Sequence, residues 1–186
     1  FQGDLMRRSL FTAMLVLAPL AAAADDPAPA PAPPPPPQFG CTSAETQQFN
    51  FWVGEWNVTL NDGSGKVAGH SVIEALDQGC VILENWTGAK GGLGHSLNMY
   101  DVADNKWHQH WMDNTGDQVH YIGEFKDGKL EFRAEDVSTP AMANVVMTMT
   151  FEQRTDGTVR QSGTMSTDGG ATFQPSFDLL YTRVAQ

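Results

Sequence analysis

The chain has 186 residues, with 22 acidic against 11 basic side chains and a formal net charge of −11. Charge of that sign repels phosphate backbones and anionic lipid surfaces, which excludes nucleic-acid binding and polybasic membrane attachment as expectations. The length is that of one domain. After residue 24 no apolar run approaches the ~18 residues of a membrane-spanning helix, so the mature form is expected to have no membrane span.

Residues 1–5 read as a cloning remnant, because Phe1-Gln2-Gly3 matches the tail of a protease recognition site. Residues 6–24 carry the three parts of a secretory signal peptide. These are basic Arg7-Arg8, an apolar stretch over 10–20, and the small-residue end Ala21-Ala22-Ala23-Ala24 before Asp25. The expectation is export, to a bacterial periplasm. No Cys ends the apolar stretch, so no lipid anchor is expected. Residues 25–40 form an Ala/Pro-rich linker, holding 8 of the 11 prolines. Such a segment favours polyproline II and builds no core. The folded domain is expected over 41–186.

Cys41 and Cys80 are the only cysteines. In an oxidising compartment the simplest outcome is one disulfide. Spacing alone leaves two free buried thiols open. A redox centre is not expected, because there is no C-x-x-C.

Thr42-Ser43-Ala44-Glu45 resembles a capping box and predicts one short helical turn up to Phe49. Beyond it, turn signals recur at strand intervals, among them Asn61-Asp62-Gly63, Asp77-Gln78-Gly79, Asn114-Thr115-Gly116, Asp127-Gly128 and Asp156-Gly157. Asp-Gly between β-branched and aromatic runs is a strong hairpin signal. The pattern predicts strands near 52–60, 67–76, 80–87, 95–101, 106–113, 118–125, 129–135, 145–152, 158–166 and 172–183. Short strands with no helices to cover them need closure or a sandwich. Neighbour-to-neighbour hairpins favour closure. The expected fold class is all-β: a single antiparallel, mainly up-and-down closed barrel of about 8–10 strands.

Phe49-Asn50-Phe51-Trp52-Val53-Gly54-Glu55-Trp56 contains the Gly-x-Trp that opens lipocalin-like (calycin) barrels. Further matching segments are Gly79-Cys80-Val81-Ile82-x-Glu84-x-Trp86, Gly94-x-Ser96-x-Asn98-x-Tyr100-Asp101, Trp107-x-Gln109-x-Trp111-x-Asp113, Val159-Arg160-Gln161 and Ser166-x-Asp168-Gly169-Gly170. Taken in order over about 41–184, they resemble an uncharacterised family of exported bacterial calycin-like proteins. That resemblance implies a barrel whose Trp56 packs across the closed end against an Arg of the last strand, here Arg183. It implies no particular activity.

Residues two apart on a strand share a face. Trp107, Gln109, Trp111 and Asp113 therefore form one stripe, with Glu84 and Trp86, and Ser96, Asn98 and Tyr100, on the two preceding strands. Aromatic rings interleaved with hydrogen-bonding groups suit a small-molecule cavity. The alternative is that the same residues are a filled core whose polar groups satisfy one another. The leading expectation is a monomeric binder of a small, partly apolar molecule, rather than an enzyme. An alternative is catalysis in the same cavity with Glu84 or Asp113 as acid/base, which needs desolvation to raise a pKa.

His108-x-His110 places two imidazoles on the opposite face. A three-residue loop at Asn114-Thr115-Gly116 would bring His120 opposite His110. Three such ligands are a candidate Zn²⁺ or Cu²⁺ site, against the plainer reading of three solvated surface histidines. No cofactor is expected: the late-chain His through which some calycin-like barrels bind haem has no counterpart after His120. Gly91-Gly92-Leu93-Gly94 lacks the Lys-Ser/Thr of a phosphate loop.

Overall fold

The computed structural model describes residues 40–137 and 144–185. The cloning remnant, the signal peptide and nearly all of the linker lie outside the described residues. Ten strands follow one another: β1 (Gly54–Leu60), β2 (Val67–Leu76), β3 (Val81–Gly88), β4 (Leu93–Asp101), β5 (Lys106–Asp113), β6 (Gln118–Lys126), β7 (Lys129–Val137), β8 (Val145–Gln153), β9 (Val159–Ser166) and β10 (Gln174–Arg183). Each pairs antiparallel with its sequence neighbours, and β10 returns to β1, closing the sheet. The architecture is an up-and-down antiparallel β-barrel with no free edge.

Local chemistry explains the geometry. On β4 the buried Gly94, Ser96 and Asn98 alternate with exposed His95, Leu97 and Met99, the period of two that one buried face imposes. Asp127 and Gly128, both with positive φ (50° and 80°), make the two-residue turn between β6 and β7. That conformation matches the twist of the flanking strands. Pro175, which cannot donate to the ladder, sits where the β9–β10 register shifts.

The segment before β1 turns repeatedly rather than forming an α-helix. Ser43 Oγ accepts a hydrogen bond from the Thr46 N–H at 3.4 Å, and residues Asn50–Trp52 form a single 3-10 turn. Three residues per turn eclipse i and i+3, and Phe49 lies flat on Trp52 with centroids 4.9 Å apart. Both side chains are fully buried, and Phe49 also meets Trp107, Phe132 and Phe151. This aromatic cluster fills one end of the barrel. It also explains why β1 starts two residues later than the expected 52: Trp52 belongs to the plug.

A disulfide joins Cys41 to Cys80, with Cα atoms 4.8 Å apart. It fastens the plug segment to the turn between β2 and β3, where the Cys41 N–H also donates to the Gln78 carbonyl at 3.4 Å. Among the described residues no helix is long and apolar enough to cross a membrane.

Candidate functional site

Beyond the aromatic plug the lumen holds a cavity of about 330 Å³. Glu84 and Trp86 of β3 and Gln109 and Trp111 of β5 line one wall. Tyr121, Met149, Gln161, Phe177, Leu179 and Tyr181, from β6, β8, β9 and β10, line the other. The volume lies in the range of small-molecule sites. None of the lining residues is a Lys, Arg or His.

The aromatic walls depend on glycines. A Cβ at Gly94 would collide with the Trp111 ring, and one at Gly69 with the Trp86 ring. Each indole therefore lies in space that the absent Cβ leaves beside the neighbouring backbone.

A hydrogen-bonded polar network occupies the β2–β5 wall. Glu84, 3% exposed, accepts from Ser71 Oγ at 2.9 Å through Oε1 and from Ser96 Oγ at 3.0 Å through Oε2. Asn98 Nδ2 donates to Ser96 Oγ at 3.0 Å and to the Ile82 carbonyl at 2.9 Å, and its Oδ1 accepts from Gln109 Nε2 at 2.6 Å. On the facing wall Tyr181 Oη donates to Gln161 Oε1 at 2.7 Å, and Gln161 Nε2 reaches Met149 Sδ at 3.0 Å.

Burial raises the Glu84 carboxyl from 4.5 to about 7, against the downward pull of the Ser71 and Ser96 hydrogen bonds and of the nearby Tyr181 phenol. Burial also drives the Tyr181 phenol well above its usual range, and the Glu84 charge adds to that rise. Tyr121, buried and donating to Met147 Sδ at 3.5 Å, is pushed up to about 12. The lumen is thus a low-dielectric space with one carboxyl poised near neutrality.

The residues singled out from sequence fall at three depths. Glu84, Trp86, Gln109 and Trp111 line the cavity, and Ser96 and Asn98 support them from behind. Trp107, 2% exposed, sits in the plug cluster and donates from Nε1 to Gln48 Oε1 at 3.2 Å. Tyr100 packs edge-on against Trp107 at 5.9 Å. Asp113 lies at the other end, where its carboxylate accepts from the Thr115 N–H at 2.8 Å and from Trp111 Nε1 at 3.4 Å. Bonds from Thr115 hold Asp113 below the usual carboxylate range. Glu84 and Asp113 share no bonding partner.

Sequence reasoning missed Ser71 and the whole facing wall. The Gln161–Tyr181 bond carries no sequence signal beyond strand alternation.

The three histidines lie on the outer face of the β5–β6 hairpin, with His110 directly opposite His120. Their rings stack instead of pointing at a common centre: His120 is 4.1 Å from His110 and 5.1 Å from His108. His108 is engaged on both nitrogens, with His120 Nε2 at 2.9 Å and Asp104 Oδ2 at 2.9 Å. Burial, then the neighbouring imidazoles, holds His120 below its usual pKa.

No protein-family model matches the chain, and no curated protein matches it. Fold and site therefore define the class on their own: a closed ten-stranded antiparallel barrel, plugged at one end by aromatics, with an aromatic cavity around a buried polar network.

Proposed function

We propose that the chain is an exported, lipocalin-like barrel that binds one small, partly apolar molecule in its lumen and works as a monomer. The observation that carries this reading is the cavity of about 330 Å³, whose aromatic walls surround a few fixed polar groups. Apolar walls supply affinity, and convergent polar groups set orientation. The Arg7-Arg8 leader and the Cys41–Cys80 disulfide support export, since disulfides persist in oxidising compartments.

The test is titration with the neutral dye N-phenyl-1-naphthylamine, read as dye enhancement and as quenching of tryptophan. Saturable binding of one dye per chain, weakened in Trp111→Ala, is expected. A linear, unsaturated response would sink the proposal.

A second reading rests on the near-neutral titration of Glu84, which suits proton transfer to or from a bound molecule. Its mark is turnover that Glu84→Gln abolishes while binding persists. Asp113, held ionised in its turn, does not share that property.

A further inference from the structure

We propose that the lumen selects a molecule bearing a protonated amine, its ammonium group against Glu84 and its apolar body between Trp86, Trp111 and Phe177. This deepens the lumen-binding reading and rests on it.

The argument starts from what surrounds Glu84. The polar groups that meet the Glu84 carboxyl are hydroxyls: Ser71 of β2, Ser96 of β4 and the nearby phenol of Tyr181 of β10. The titratable side chains on these strands are engaged elsewhere: His70 meets Glu55 at 3.0 Å, and Glu74 and His95 meet Asn85 at 3.0 and 3.1 Å. Arg183 stacks on Trp56 at the plugged end, and Arg160 bonds Asp178 on the outer face at 2.7 Å. Glu84 is therefore a buried carboxyl without a cation.

An ionised carboxylate in that position is costly unless a partner neutralises it. The empty site lowers the cost by keeping a proton on Glu84. A ligand cation removes the cost by supplying the partner. Each carboxylate oxygen takes one serine hydroxyl, which leaves lone pairs free to accept N–H bonds from an ammonium group. Aromatic faces around the same space favour a cation further. A ligand carboxylate would instead place two anions together in low dielectric, and an alcohol would offer no charge to pair with the carboxylate.

The protons balance simply. Binding converts Glu84–COOH and R–NH₃⁺ into the pair Glu84–COO⁻/R–NH₃⁺ and releases one proton to solvent. Affinity for the amine must then rise as pH increases through the Glu84 titration, which lies at about 7.

The experiment compares three ligands of matched shape, 2-phenylethylamine, 2-phenylethanol and 3-phenylpropionate, by tryptophan quenching at about pH 8 and about pH 5. At the higher pH the amine is expected to bind about tenfold more tightly than the alcohol, with the carboxylate weakest. The amine's advantage should shrink at the lower pH. It should vanish in Glu84→Gln while alcohol binding persists. Calorimetry of the unaltered protein at about pH 6, where Glu84 still holds its proton, in two buffers of different ionisation enthalpy gives a check that needs no variant: proton release is expected for the amine alone. Equal affinities for amine and alcohol, or an amine preference that survives Glu84→Gln, would overturn the inference and leave the lumen reading standing. Failure of all three ligands to bind overturns both.

Discussion

Trp56 and Arg183 face each other across the β1–β10 seam, with the guanidinium carbon 4.3 Å from the indole ring centroid. The same guanidinium donates to the Val53 carbonyl at 3.1 Å and to the Phe51 carbonyl at 3.3 Å. One side chain thus ties the last strand to the first strand and to the plug. Gly54 makes room for it: its φ is +141°, and a Cβ there would collide with Arg183 Nη1. The Gly-x-Trp at the start of β1 is therefore a spatial requirement of the closure.

Arg183→Ala should lower unfolding stability by about 2 kcal/mol, from two lost charge-assisted bonds and one cation–π contact. Arg183→Lys should recover only part of this, because a point charge cannot bond two carbonyls from a planar fork. Urea unfolding checks both. Equal stability of the Ala variant and the parent would show that the seam closes without the clasp.

The strands were legible because alternation and turn chemistry are local. His110 opposite His120 follows from three loop residues, and Asp127-Gly128 announces its own turn. Depth along the barrel was not legible. Trp107 and Trp111 share a face, yet one is held under Phe49 and the other lines the cavity. Alternation distinguishes inside from outside and carries no coordinate along the axis. The facing wall was hidden for a related reason: Gln161 and Tyr181 meet diagonally across β9 and β10, whose register shifts between Pro175 and Phe177, and alternation does not announce such a shift.

Glu84 makes stability depend on pH in a stated direction. Between 4.5 and about 7 the folded chain keeps a proton there that the unfolded chain has released. Stability must fall as pH rises through that window, by about 3 kcal/mol in all, and stay level above it. Glu84→Gln should remove this slope. Asp113 and Asp178, with lowered pKa values, act with the opposite sign and below the window. His120, also lowered, adds stability as pH rises towards 6.5. Both effects cancel in the difference between parent and variant, measured by urea midpoints across the range.

The disulfide closes a loop with a sequence separation of 39. Replacing both cysteines with Ala should cost about 4 kcal/mol by the chain-entropy relation. Because the bond holds the plug segment, the loss should appear first as hydrogen exchange at Phe49 and Trp52, ahead of the barrel strands. Uniform loss of protection throughout the barrel would contradict that order.

Gly94 and Trp111 offer a direct test of how the cavity is kept open. An Ala at position 94 would push its Cβ into the indole and displace a ring that lines the cavity. Overpacking of this kind costs about 1–3 kcal/mol. Gly94→Ala should therefore lose stability and weaken dye binding together, with a shifted Trp111 emission. Trp111→Phe in the same chain shortens the ring and should restore part of the stability. The two changes should couple with the sign of a relieved clash, measurable as a double-mutant cycle. Strict additivity would mean that the ring does not rest on Gly94, and that something else holds the wall back from the cavity.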